Sequence, residues 1–296
     1  MEDPYCAVSM AMAPVTSSTE RSGSPGRTVQ SGCGYRVRSK PTALRLPEPG
    51  RILGVGRRLG VSGLAVRDTG LIGRDSEVSL LRGFVDPPSG EGRVLVLLGD
   101  AGMGKTALLA DAARQARSTG MWVLSVTGRE PEQYLAFAGL RQLLLPVLDR
   151  AADLPDRQTL LEALALSTAT VQPDALLTGI AVLTVLSELA EDHPLLVIAD
   201  NAQWLDRGSL DTLAFAARRL ESEQLVLMLG MRGNMPPACF ERGFPELLLP
   251  PLSAPDASRL LDEQPRPPRG QGREQVLAQA AGNPMALIEL SRGHRG

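Results

Sequence analysis

The most specific chemistry in the sequence lies in one run: Gly99-Asp100-Ala101-Gly102-Met103-Gly104-Lys105-Thr106. It satisfies the pattern G-x-x-x-x-G-K-S/T, behind a short apolar run at 94–98 and ahead of a helical pattern at 106–117. Glycine lets a backbone turn sharply and approach a ligand with no Cβ in the way. The N–H groups of such a loop converge on a polyphosphate, helped by the positive end of the following helix dipole. In that cradle Lys105 reaches the β- and γ-phosphates as a compact point charge, and Thr106 places its hydroxyl on Mg²⁺. Ala107, next in the first helical turn, belongs to the same contact set. The chain has only two lysines, Lys40 and Lys105. An accidental match to the pattern is therefore expected roughly twice in a thousand chains of this composition.

A phosphate loop of this kind needs a carboxylate near the metal, at the end of a neighbouring buried strand. The run Leu195-Leu196-Val197-Ile198-Ala199-Asp200 supplies one. Asp200 is expected at the carboxyl edge of the sheet, where ligands bind in open α/β folds. Asn201 follows it, and an amide cannot take up a proton from an attacking water. Asp206 is open to two readings, a second acid or the cap of a helix at 207–220.

These residues need a scaffold. Short continuous apolar runs at 94–98, 121–126, 195–199 and 225–231 suit strands buried on both faces of a parallel sheet, with 246–249 as a fifth. Helical patterns lie between them at 106–117, 133–145, 174–190 and 210–220. The alternation predicts an α/β fold: a P-loop NTPase with a mostly parallel sheet flanked by helices. From Pro255 the strands stop, and three short helical patterns (255–263, 272–281, 284–292) predict a small all-helical subdomain. Three segments are expected: a basic, disordered extension over 1–70, a nucleotide-binding domain over 71–250, and a helical subdomain, an incomplete lid, over 251–296.

Composition narrows the function classes. The 296 residues carry a net charge of −2, but residues 1–70 alone hold ten basic and five acidic side chains, which leaves −7 for the rest. The first segment is rich in Ser, Gly, Pro and Arg without helical or strand periodicity, so it lacks the apolar surface to offset ordering entropy. It reads as a basic arm for nucleic acid or a partner, or as a disordered extension. Cys6, Cys33 and Cys239 fit neither a zinc site nor a disulfide framework, and two histidines, His193 and His294, exclude a His-rich metal site. No apolar run approaches the ~18–20 residues of a membrane span. No positively charged start marks an export signal. A cytoplasmic location is the expectation.

Four segments in one order resemble a known family: Leu71-Ile72-Gly73-Arg74-Asp75, Gly99 to Thr106, Asp200-Asn201-Ala202-Gln203-Trp204-Leu205-Asp206, and Gly282-Asn283-Pro284-Met285-Ala286-Leu287. They resemble the ATPase module of large ATP-binding LuxR-type transcriptional regulators. Those regulators are signal-transduction ATPases with numerous domains, a branch of the AAA-like P-loop proteins. The resemblance covers about residues 71–292, and the stretch Glu132 to Leu144, with Leu135 to Leu140 within it, also resembles a family segment. It implies that Ile72, Gly73 and Arg74 lie against the adenine, that Arg232 is a sensor arginine for the γ-phosphate, and that Pro284 packs on the base. Lys105, Asp200 and Arg232 would then be the catalytic set. Two departures stand out. Asn201 replaces a usual aspartate, and the sequence ends before the sensor repeats and DNA-binding helix-turn-helix of the family.

The combined expectation is an ATP-binding switch module, using ATP and Mg²⁺, whose hydrolysis is slow at most. Self-association or a protein partner is expected; sequence-specific DNA contact by this chain and a membrane are not. Two alternatives remain: a stand-alone active ATPase with Asp206 or Glu132 positioning water, and a decayed fragment of a larger regulator.

Overall fold

The computed structural model describes residues 70–86, 93–148, 161, 164, 175–220, 224–241 and 243–293. All of them belong to the second of two compact units, residues 47–296. The extension expected over residues 1–70 lies outside the described residues apart from Gly70.

Five parallel strands form the sheet: β1 (Arg93–Gly99), β2 (Trp122–Thr127), β3 (Leu195–Asp200), β4 (Leu225–Arg232) and β5 (Glu246–Leu248). Their spatial order is β2-β3-β4-β1-β5. Strands β1, β3 and β4 are central and almost wholly buried, which is why they read as continuous Leu/Val/Ile runs. Strand β2, at an edge, buries only part of its length. Register aligns the carboxyl ends: Gly99 faces Arg232, and Thr127 faces Asp200. The fold is the α/β parallel sheet that the strand–helix alternation implies.

Helices cover both faces. On one side α1 (Asp75–Val85) and α2 (Lys105–Ser118) bury Leu81, Val85, Leu108, Leu109 and Ala112 against Leu95, Leu97, Leu196 and Met228. On the other, α3 (Ala138–Leu144), α4 (Ala175–Asp192) and α5 (Arg207–Ala217) pack on Val96, Val126, Val197 and Leu229. Alternate residues of each strand thus serve two separate cores. The last three helices, α6 (Ala254–Asp262), α7 (Gly270–Ala280) and α8 (Pro284–Gly293), close around a third cluster containing Leu252, Leu261, Val276 and Leu287. Among the described residues no helix is long and apolar enough to cross a membrane.

Two elements differ from the sequence expectation. Helix α1 is an addition. Its signals are Asp75 and Glu77 in the first turn, Arg82 in the last, and Val78, Leu81 and Val85 at helical spacing. The helix expected over 133–145 begins only at Ala138, because Phe137 adopts a left-handed φ of 57°. Asp206 is the cause. Its Oδ1 accepts the N–H groups of Phe137 (2.7 Å) and Ser209 (2.9 Å). Its Oδ2 accepts from the Gly139 N–H (3.0 Å) and the Ser209 hydroxyl (2.6 Å), whose oxygen in turn accepts from Leu140 N–H (2.9 Å). One carboxylate therefore caps α5 and captures the backbone that would have begun α3 a turn earlier. Glycines let the two helices close up: a Cβ on Gly208 would lie 2.8 Å from the Phe137 ring.

Asp206 is 3% exposed, and its four donors would lose their partner together. Asp206→Ala is therefore expected to cost about 2–4 kcal/mol of stability, from the lost cap and the stranded N–H groups. Urea denaturation measures this, and a cost below about 1 kcal/mol would show that the clamp is weak.

Candidate functional site

The loop between β1 and α2 lies at the carboxyl edge of the sheet. Gly102 and Gly104 adopt φ values of 82° and 96°, a left-handed backbone that glycine alone enters without strain. Gly104 is the N-cap of α2 and has no side chain to accept from the first-turn N–H groups. Those N–H groups have no partner within the helix, so the turn presents them to an anion. Lys105 is 8% exposed and curls back over the loop, its Nζ donating to the carbonyls of Gly99 and Asp100, both at 2.8 Å. Burial lowers the pKa of Lys105, and Arg232 adds to that; Asp200 and Asp100 act against it, leaving a net decrease. Asp100 and Ala101 are exposed, and Ala107 is half-buried. Met103 turns its side chain into the core beside α1 and α2.

Asp200 and Thr106 meet. The Thr106 hydroxyl donates to Asp200 Oδ2 at 2.8 Å, although β4 separates their parent strands β1 and β3. Asp200 Oδ1 accepts the Asn201 N–H at 2.9 Å, and Asn201 takes a left-handed φ of 48°. Contact across β4 is possible because residue 230 is glycine. A Cβ there would lie 3.0 Å from Asp200 Oδ1 and 2.8 Å from Leu109 Cδ1. Two strand positions on, Arg232 is exposed, lies in register with Gly99, and donates its N–H to Gln203 Oε1 at 3.0 Å. The 202–204 turn thereby braces the end of β4.

Arg74 is 5% exposed; both terminal nitrogens of its guanidinium are engaged in protein contacts, while its buried Nε has no partner among the described residues. Its Nη1 donates to Glu77 at 3.0 Å, and its Nη2 to the carbonyls of Met103 (3.2 Å) and Pro250 (2.7 Å). Burial would raise the Glu77 pKa, but the Ser76 hydroxyl, its own backbone N–H and Arg74 outweigh this and hold it below the ordinary carboxylate range. Gly73 lies against the helical tail, where a Cβ would come 2.7 Å from Asp256. Ile72 is half-buried beside it. Pro284 opens α8, half-buried, directly after Asn283.

The structure thus brings Gly99 to Ala107, Asp200 and Arg232 to one edge, with Gly73, Arg74 and Pro284 around it. Asp206 stands apart, its acceptor positions occupied as described above. Glu132 is half-buried and pairs with Arg129 at 3.2 Å. Two participants were missed by sequence reasoning, Gly230 and Asn283. An isolated glycine inside a buried strand was a readable sign that another group approaches closely. Asn283 stood within the 282–287 run that carries the resemblance, and its place before a proline at a helix start could have signalled a cap but not a contact with the loop.

Residues 70–229, more than half of the chain, match the family model of the AAA ATPase domain. Several solved structures are similar. A signal transduction ATPase with numerous domains, carrying a tetratricopeptide repeat sensor, from Pyrococcus horikoshii is 21% identical, with a TM-score of 0.45, over 73% of this chain and 29% of its own. The Aeropyrum pernix ORC2 protein is 16% identical, with a TM-score of 0.47, over 74% and 61%. Drosophila ORC bound to DNA is 20% identical, with a TM-score of 0.45, over 75% and 51%. The chain therefore spans less than a third of the first of these structures. No curated protein matches it.

A Gly→Ala change in an open strand position gains about 0.4–1 kcal/mol by restricting the unfolded chain. At Gly230 the opposite sign is expected. Gly230→Ala should lose about 1–3 kcal/mol as the methyl presses on Asp200 and Leu109. Thermal or urea unfolding gives the sign directly.

Proposed function

Because the chain belongs to the AAA ATPase domain family, we propose that the loop at Gly99 to Ala107 binds the triphosphate of ATP together with Mg²⁺, and that the bound nucleotide acts as a conformational switch. The observation that carries this reading is the convergence of Lys105, Thr106 and Asp200. A buried lysine sets its ammonium on the carbonyls of Gly99 and Asp100, and a hydroxyl and a carboxylate lie 2.8 Å apart at the same edge. Two hard oxygens from protein suit Mg²⁺, which binds through one or two protein oxygens and completes its shell from phosphates and water. Thr106 and Asp200 would hold the ion, and its charge would offset that of the β- and γ-phosphates. Lys105 would exchange its two carbonyl acceptors for phosphate oxygens. Arg232, close enough to depress the Lys105 pKa, is the candidate to reach the γ-phosphate. Gly73, Arg74 and Pro284 border the region where the base would lie.

A nucleotide moves a conformational equilibrium only by its differential affinity for the two states. One charge-assisted hydrogen bond made to ATP and absent with ADP is worth about 1.5–3 kcal/mol. That shifts the equilibrium about ten- to a hundredfold, sufficient for a switch without rapid turnover. The resemblance of residues 71–75, 200–206 and 282–287 supports placing this switch in a LuxR-type transcriptional regulator.

Slow hydrolysis is the companion expectation. Asn201 lacks a proton acceptor, Asp206 is committed to backbone donors, and Glu132 is held by Arg129. Calorimetric titration should show Mg-ATP affinity falling about ten- to a hundredfold in Lys105→Ala; equal affinity in the variant would refute the site. Asn201→Asp should raise phosphate release roughly tenfold or more. Fast release by the wild type would instead favour a dedicated ATPase.

A further inference from the structure

Three consecutive carbonyls of the phosphate loop are held from outside. Ala101 O accepts from Asn283 Nδ2 at 2.8 Å, Gly102 O from Met285 N–H at 3.2 Å, and Met103 O from Arg74 Nη2 at 3.2 Å. A peptide unit is planar and trans, so its C=O and the next N–H point in opposite directions. Drawing the carbonyls of 101, 102 and 103 outward therefore turns the N–H groups of Gly102, Met103 and Gly104 toward the inner face of the loop, where that of Met103 makes a long bond to Asp100 O at 3.4 Å. Two of the three outer donors come from the start of α8, in the helical tail.

We propose that Asn283 is a positioning residue that holds the phosphate loop's amides in their anion-facing orientation by binding the outer carbonyl of Ala101. The proposal rests on the reading of this loop as a triphosphate site.

Asn283 suits the task because its two ends do different work. Its Oδ1 accepts from Met285 N–H (3.0 Å) and Ala286 N–H (3.1 Å), capping α8. This fixes the side chain and leaves the amide nitrogen aimed at the loop. The fit is close: a Cβ on Gly102 would lie 2.5 Å from Asn283 Oδ1 and 2.8 Å from Met285 Cβ. The tail itself is anchored near this point, with Leu252 N–H bonded to Gly282 O at 2.8 Å and Pro250 O held by Arg74. Any movement of α8 is thus transmitted to the loop through the Asn283 amide.

Serine is an equally good helix cap but is too short to reach Ala101. Asn283→Ser therefore separates the two roles. The variant should melt within a few degrees of the wild type. Solvent exchange of the Gly102–Gly104 amides, followed by NMR without nucleotide, should accelerate. Mg-ATP should bind about three- to tenfold more weakly, the effect of one neutral hydrogen bond. Asn283→Asp keeps the cap, sets a carboxylate oxygen against Ala101 O, and should weaken binding further. It serves as the second variant if Asn283→Ser melts early. Wild-type affinity in both variants overturns the proposal, as does unchanged loop exchange. If the wild type itself binds no Mg-ATP, the triphosphate reading fails, and accelerated exchange alone then upholds the role of Asn283 on the loop.

Discussion

The hydrogen bond from Thr106 to Asp200 is the contact on which the site depends. It joins the first turn of α2 to the end of β3, with β4 lying between their strands. Such reach is possible only because Gly230 leaves room above the intervening strand. Everything else at this edge is arranged around that bond. Lys105 stands one residue before Thr106, and Asn201 one residue after Asp200 donates back to the same carboxylate. The paired oxygens are both hard donors, the type that suits Mg²⁺.

A second constraint concerns how the loop keeps its shape. A glycine-rich segment is conformationally free, and that freedom must be removed before its amides can act together. Here the outer carbonyls are held by Arg74 from the entry segment and by Asn283 and Met285 from the helical tail. Arg74 also grips Pro250, just before the tail begins. Rigidity at the loop is thus borrowed from segments roughly 30 residues before it and 180 after it. This gives a physical route by which the position of the tail acts on the loop.

Much of the fold was legible in the chain because burial on both faces leaves a plain mark. Strands β1, β3 and β4 are unbroken apolar runs, and their ends matched the structure within a residue or two. The phosphate loop was legible because a glycine pattern with lysine is rare in a chain with two lysines. Residues 133–137 misled, since their helical pattern competes with a carboxylate some 70 residues away. Asp206 takes the N–H groups of Phe137 and Gly139, and local periodicity cannot reveal a donor claimed from such a distance. Helix α1 was not legible despite its acidic first turn and apolar stripe, because it opens on Arg74 with no side-chain cap to mark its start.

By itself the sequence determined the chemistry available and its order along the chain: a glycine-rich loop carrying Lys105, an apolar strand ending in Asp200, and an amide at 201. Those follow from residue type and spacing, which are local properties. Only the tertiary structure decided the partners. It spent the Asp206 carboxylate on backbone donors, put Arg74 between the loop and Pro250, and set Asn283 against Ala101. Apart from the local cap on Ser209, these pairings span between 29 and 182 residues. Which of several equally polar groups satisfies a given buried donor depends on how the sheet and helices pack, and no periodicity in the chain encodes that choice.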